Sequence, residues 1–95
     1  MTAYLIVQID VTDQAAFDRY RRQVPATLAA HGGKYLVRGG AMERLEGVWP
    51  YERVVVVEFP SMAEARAWYD SPDYAGPKAL RQGASRANIV LVEGV

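Results

Sequence analysis

The chain has no cysteine and a single histidine. The first absence excludes disulfides, thiolate metal sites and cysteine nucleophiles, and it agrees with a cytoplasmic protein. The second leaves His31 without a His or Cys partner at ligand spacing, so no metal is expected. Charge of one sign is missing too. The 11 Lys and Arg cancel the 11 Asp and Glu with no block of either, which removes the electrostatic footprint that nucleic acid or an anionic membrane requires. No apolar run approaches the roughly 20 residues of a membrane span, and Asp10 and Asp13 stand where a signal peptide needs small residues and a cleavage site. Neither serine of interest, Ser61 or Ser71, lies in a Gly-x-Ser-x-Gly elbow, and Gly39-Gly40 is not followed by Gly-Lys-Ser/Thr. Serine hydrolase and phosphate-loop chemistry therefore have no support.

Apolar residues make up 51% of the 95, enough for one core and too few for two, so a single domain over residues 1–95 is expected. Its most strand-like run is Arg53-Val54-Val55-Val56-Val57-Glu58-Phe59, which suits a central strand covered on both faces. Pro60 ends it, and Ser61 with Glu64 forms a capping box for a following helix. Ala3 to Asp10 alternates with period two and gives a first strand. Thr12 or Asp13 caps a helix carrying Phe17, Tyr20, Val24 and Leu28 on its apolar stripe, with Arg19, Arg21 and Arg22 off it. Pro25 predicts a kink or a new helical start near Val24, and Gly32-Gly33 ends the helix.

Lys34 to Arg38 reads as a second strand that bends or bulges at Gly39-Gly40 and continues toward Leu45, with a hairpin tip at Glu46 to Pro50. Met62, Ala65, Trp68 and Tyr69 mark a short second helix. Ser71-Pro72-Asp73 starts a third, which Pro77 and Gly83 should keep short or broken. Asn88 to Glu93 is the last strand. The order β-α-β-β-α-β, with a helical insertion before the last strand, is the ferredoxin-like α+β arrangement, an antiparallel four-stranded sheet with helices on one face. The other face carries Ile6, Leu36, Val54, Val56 and either Ile89 or Val90, an apolar patch that needs a cover. A homodimer, two sheets face to face in an α/β barrel, is the expected cover.

His31-Gly32-Gly33, Arg38-Gly39-Gly40, Glu46-Gly47-x-Trp49, Glu58-Phe59-Pro60-Ser61 and Tyr69-x-Ser71-Pro72-x-Tyr74 occur in that order along nearly the whole chain. In this the sequence resembles the domain of unknown function 1330 family. The resemblance implies a dimeric α+β barrel, in a superfamily that also holds cofactor-free monooxygenases of antibiotic synthesis, muconolactone isomerase-like enzymes, haem-degrading proteins and stress-responsive barrels. The haem-degrading relatives use a histidine on the helix after the third strand. This chain has Trp68 and Tyr69 there, so neither haem nor another cofactor is expected.

Regular alternation places Gln8, Arg38 and Glu58 on the face assigned to the barrel interior. An arginine and a carboxylate there could bind a carboxylate or enolate, with Glu58 moving a proton, or could form an interfacial ion pair that orients the two sheets. His31 could act as a general base, or could simply face the carbonyls at the end of the first helix. Tyr20, Tyr35, Trp49, Trp68, Tyr69 and Tyr74 are either core and interface residues or the lining of a pocket between helix and sheet that suits an aromatic or enolic ligand. Arg38, Glu58 and His31 are thus the catalytic candidates, and Gln8, Tyr20, Trp49 and Tyr69 the ligand-binding ones. The functions in view are a cofactor-free isomerase or monooxygenase-like enzyme on a small carbonyl or aromatic compound, a non-catalytic binder of a small molecule, and a stress-associated structural dimer.

Overall fold

The computed structural model describes all residues, 1–95. The chain runs β1 (Ala3–Val11), α1 (Gln14–Ala29), β2 (Lys34–Arg38), β3 (Arg53–Phe59), α2 (Met62–Tyr69), α3 (Pro72–Ala84) and β4 (Ser85–Glu93). Every strand pairing is antiparallel, in the spatial order β2-β3-β1-β4. This is the expected ferredoxin-like arrangement, with the valine strand and the first strand at the centre. Leu5 stands between Val57 and Leu91, and Val7 between Val55 and Ile89, so the odd positions of β1 line up with odd positions on both neighbours. That layer meets the helices. Ile6, opposite Val56 and Val90, lies on the other face, which settles the register of the last strand in favour of Val90.

Three side chains cap the helices as their sequence positions imply. Asp13 accepts from the Ala16 amide at 3.1 Å, Ser61 from Glu64 at 3.1 Å and Ser71 from Tyr74 at 3.2 Å. Each satisfies a first-turn N–H that the helix itself leaves free. The helices then bury Phe17, Val24 and Leu28 of α1, Trp68 of α2 and Tyr74 of α3 against the sheet. Trp68 is central: its ring lies 5.6 Å from Phe59 and 4.0 Å from Tyr74, and its Nε1–H donates to Thr27 Oγ1 at 3.0 Å. The Thr27 hydroxyl in turn donates to the Val24 carbonyl at 2.7 Å, so the buried indole N–H has a partner, as burial demands.

Three local expectations are corrected. Pro25 neither stops α1 nor restarts it, and α3 runs unbroken through Pro77 for 13 residues. Burial of Tyr74, Pro77, Arg81 and Ala84 along one side of α3 outweighs the backbone bond that the proline omits. The second strand does not reach Leu45. It ends at Arg38 because Gly39 turns with φ of 69°, a conformation glycine adopts without penalty, while its N–H still bonds the Val54 carbonyl at 2.9 Å. Residues 39–52 then form a connection without strand or helix, in which Leu45 and Val48 are exposed. Finally, the expected bend is present at Gly39, but the bulge of β2 falls at Leu36 instead. Tyr35 pairs with Val57 and Val37 with Val56, so Leu36 is an extra residue, a β-bulge.

Candidate functional site

The bulge decides where the site is. Past Leu36 the side-chain alternation of β2 shifts by one, which brings Arg38 opposite Val55 and turns it to the helix side of the sheet. Glu58 stays on the open face, opposite Tyr4 of β1 and Lys34 of β2. The expected pairing of Arg38 with Glu58 therefore does not form. Gln8 also lies on the open face, where its Oε1 accepts from Asn88 at 3.3 Å. His31 sits beyond the end of α1 with Nδ1 3.8 Å from a Glu64 carboxylate oxygen. Trp49 belongs to a shallow hollow in the 39–52 connection with Met42, Arg44 and Glu52.

Arg38, Tyr20 and Tyr69 do come together, in a hollow between the helices and the sheet. Its volume is about 40 Å³. The walls are close, so a ring enters only as the side chains that line the hollow give way. Leu5, Val7 and Val57 floor it from the sheet, and Tyr20, Tyr35, Trp68, Tyr69 and Tyr74 supply aromatic faces.

Its mouth is cationic. Arg21 of α1, Arg38 of β2 and Arg53 of β3 all border the hollow, and none of them forms an ion pair; the chain's ion pairs are His31–Glu64, Arg66–Asp70 and Arg86–Asp10. The Nε–H groups of Arg21 and Arg53 are buried with no acceptor, a costly state that an anion would relieve. Burial, then the neighbouring Arg21 and Arg38, hold the Arg53 guanidinium below its ordinary pKa. Its charge centre lies 5.5 Å from the Phe17 ring, and a Cβ on Gly39 would approach it to 2.8 Å, so glycine at the strand end also makes room for it.

Arg38 is held by a helix defect. Pro25 has no N–H to give the carbonyl four residues back, which is that of Arg21, and Arg38 Nη2–H donates to it at 2.8 Å. The guanidinium also stacks 4.5 Å from the centre of the Tyr35 ring, a cation–π contact. The proline inside α1 thus leaves the acceptor that seats Arg38.

At the inner end, Tyr74 Oη lies 3.0 Å from Tyr20 Oη and accepts from Arg81 Nε–H at 3.2 Å. Burial, reinforced by Tyr74, pushes the Tyr20 hydroxyl far above the usual phenol range, and burial also raises Tyr35. For Arg81, burial opposes the charge, but Tyr74 and then Tyr20 and Tyr69 outweigh it and make the guanidinium more basic than usual. No carboxylate or imidazole lines the hollow.

Arg21, Arg53 and Arg81 were not among the sequence candidates, although their spacing carried a signal. Arg21, expected off the apolar stripe of α1, instead lies four residues after Phe17 and three before Val24 and borders the hollow with them. Arg53 precedes Val55, Val57 and Phe59 at period two, and Arg81 lies seven residues after Tyr74. Arginines on a buried period are the mark that was present.

An antiparallel α+β sheet with helices on one face, enclosing an aromatic hollow with arginines at its mouth, defines a ferredoxin-like protein with a helix–sheet pocket. The chain belongs to the domain of unknown function family DUF1330, which it matches over residues 2–95. Among solved structures it is similar to a protein of unknown function from Rhodopseudomonas palustris, at 18% identity and TM-score 0.82 over 99% of this chain and 82% of that one. It is also similar to SnoaB, a cofactor-independent oxygenase from Streptomyces nogalater, at 13% identity and TM-score 0.69 over 99% and 93%. A dimeric ferredoxin-like protein of unknown function from Jannaschia sp. CCS1 aligns at 15% identity and TM-score 0.67 over 99% and 100%. These likenesses concern the fold. No curated protein matches the sequence.

Proposed function

We propose that the hollow between helices and sheet is the active site of a cofactor-free enzyme acting on a small, planar aromatic or enolic carbonyl compound that carries an anionic group. The observation that carries this reading is the set Arg21, Arg38 and Arg53 beside an aromatic slot, cations that share their surroundings with Asp18 but form no ion pair with it, and with two buried N–H groups unmet. Arg38 orients the anion, and Tyr20 and Tyr69 hold the ring. Positive charge in a poorly hydrated slot favours the enolate or phenolate of a bound substrate, the species that reacts. Returning its proton to another carbon completes an isomerisation, and giving its electron pair to dioxygen as co-substrate begins a monooxygenation. Similarity of fold to a cofactor-independent oxygenase supports the class. Glu58 and His31 lie outside the hollow, and burial keeps the Tyr20 and Tyr35 hydroxyls protonated, so we assign them hydrogen-bond donation to the substrate oxygen, with the substrate's proton passing to and from water at the open mouth.

A second reading, a binder that leaves its ligand unchanged, is favoured by the lack of any carboxylate or imidazole base in the hollow. One experiment separates the two. Small aromatic and enolic acids are screened for thermal stabilisation of the protein, and those that stabilise it are incubated with it in air and assayed by mass spectrometry. The enzyme reading expects stabilisation that Arg38→Ala weakens, together with a product that Arg38→Ala abolishes. Stabilisation without any product leaves the binder, and no stabilisation by any acid sinks both.

We also propose that two copies join through the open sheet face. Val37, Val90 and Val92 are exposed there at 40%, 54% and 46%, an apolar strip that water covers poorly, and a structure of similar fold is dimeric.

A further inference from the structure

Arg81 is an unusual residue to find inside a small domain. It is 5% exposed, no carboxylate pairs with it, and its side chain's one hydrogen bond within the protein is the 3.2 Å contact from Nε–H to Tyr74 Oη. A buried guanidinium without a counter-ion is costly, and such charges in folded proteins are as a rule paired or bound. Its remaining N–H donors have no protein acceptor, and the residue borders the hollow. A purely structural role at the α1–α3 contact would be better served by a leucine or methionine of similar volume.

The surroundings of Arg81 specify what it would take. Tyr74 accepts one of its N–H groups, and Tyr20 Oη stands 3.0 Å beyond, so two phenolic hydroxyls and a guanidinium converge at the inner end. Hydroxyls both donate and accept. Such a cluster fits an oxygen that is neutral or only partly charged on entry, such as a phenol, enol or ketone, and becomes more negative in reaction. The mouth has a different composition: three guanidinium groups and no hydroxyl other than that of Tyr35 beside Arg38. A fully ionised carboxylate fits there, where exposed Arg38 keeps it in touch with solvent and the buried Nε–H groups of Arg21 and Arg53 lack an acceptor. Arg38 is exposed and Arg81 is not, so the two charge centres mark the outer and inner ends of one slot.

We propose that the site is anchored at both ends and takes a bifunctional planar ligand, an aromatic or enolic acid, with its carboxylate at Arg21, Arg38 and Arg53 and a phenol, enol or keto oxygen at Arg81, Tyr74 and Tyr20. The proposal rests on the pocket reading above and deepens it by naming the substrate class. Selectivity follows from the inner end. A site built to hydrogen-bond an oxygen discriminates strongly against an analogue without it, because its buried donors are then left unpaired.

Titration calorimetry with a short series of acids tests this. Benzoate, 3-hydroxybenzoate, 4-hydroxybenzoate and 6-hydroxy-2-naphthoate present the same carboxylate with no second oxygen or with one at increasing distance. The expected result is that at least one hydroxylated acid binds ten-fold or more tightly than benzoate. Tyr74→Phe and Arg81→Met should remove that advantage, while Arg38→Ala weakens benzoate and the hydroxylated acids alike. Tyr74→Phe keeps the ring that packs on Trp68, so it remains informative if Arg81→Met fails to fold. Benzoate binding as tightly as every hydroxylated acid, with its affinity still dependent on Arg38, overturns the two-ended site and leaves the pocket reading standing. An advantage that survives in Tyr74→Phe also overturns it. No binding of any acid overturns both.

Discussion

Replacing Pro25 by alanine, alone and together with Arg38→Ala, tests how the pocket mouth is built. An interior proline costs an ordinary helix about 3 kcal/mol relative to alanine, in part because the carbonyl four residues back loses its donor. In this helix the carbonyl of Arg21 has regained one, the Arg38 guanidinium at 2.8 Å. Hydrogen bonds to charged groups are worth roughly 1.5–3 kcal/mol when shielded, and exposure of Arg38 reduces this to about 1 kcal/mol. Proline also stiffens the unfolded chain by about 0.4–1 kcal/mol, which the alanine variant forgoes. Pro25→Ala should therefore stabilise the protein by only about 1–2 kcal/mol. Arg38→Ala should cost about 1 kcal/mol for this bond in the natural background and almost nothing for it once residue 25 has an N–H. Loss of the Tyr35 stacking is common to both backgrounds and cancels in the cycle. Urea unfolding of the four proteins at one fixed concentration reads the coupling directly. A coupling near 1 kcal/mol is expected, and additivity within about 0.3 kcal/mol would refute the idea that the proline gap holds Arg38 in place.

The core and the sheet face offer further tests. Thr27→Val keeps the shape of the side chain but strands the Trp68 indole N–H, and should cost about 1–3 kcal/mol in the same unfolding assay; an unchanged midpoint would mean the bond contributes nothing. Val90→Asp puts a charge on the open face opposite Ile6 and should yield a monomer by sedimentation at micromolar concentration, with the natural chain sedimenting as a dimer; a monomeric natural chain removes the interface. The raised pKa of Tyr20, caused first by burial, carries a sign. Its contribution to stability is complete below pH 10, where the unfolded phenol is still protonated. It falls above pH 10 by about 1.4 kcal/mol per pH unit, because only the unfolded chain releases that proton. Between pH 9 and 11 the natural chain should thus lose more stability than Tyr20→Phe, and parallel profiles would show that the hydroxyl is not buried in solution.

The fold was legible because its signals are local and repeated. Ala3 to Asp10 alternates, Val54 to Val57 is uninterrupted, Ser61 and Ser71 each cap a helix, and together they define the β-α-β-β-α-β order. The site was only half legible. Tyr20, Tyr69 and a helix–sheet pocket follow from aromatic content, but the face that Arg38 occupies depends on one extra residue at Leu36, and nothing in Lys34-Tyr35-Leu36-Val37-Arg38 announces a bulge. Under regular alternation Arg38 joins Glu58, and with the bulge it joins Arg53. Helix continuity through Pro25 and Pro77 was hidden for a related reason. Burial of the surrounding side chains decides it, and burial is a property of the assembled fold.

The proposed site requires that an anionic aromatic compound meet the unpaired guanidinium groups of the hollow. The Nε–Hε cross-peaks of the arginines, followed by NMR during titration with 4-hydroxybenzoate, report this group by group. Arg21, Arg53 and Arg81, which border the hollow, should shift with one common saturation curve, while Arg66 and Arg86, engaged on the outside with Asp70 and Asp10, should stay in place. Shifts confined to Arg66, Arg86 and other exterior arginines, or no saturable shift at all, would contradict it.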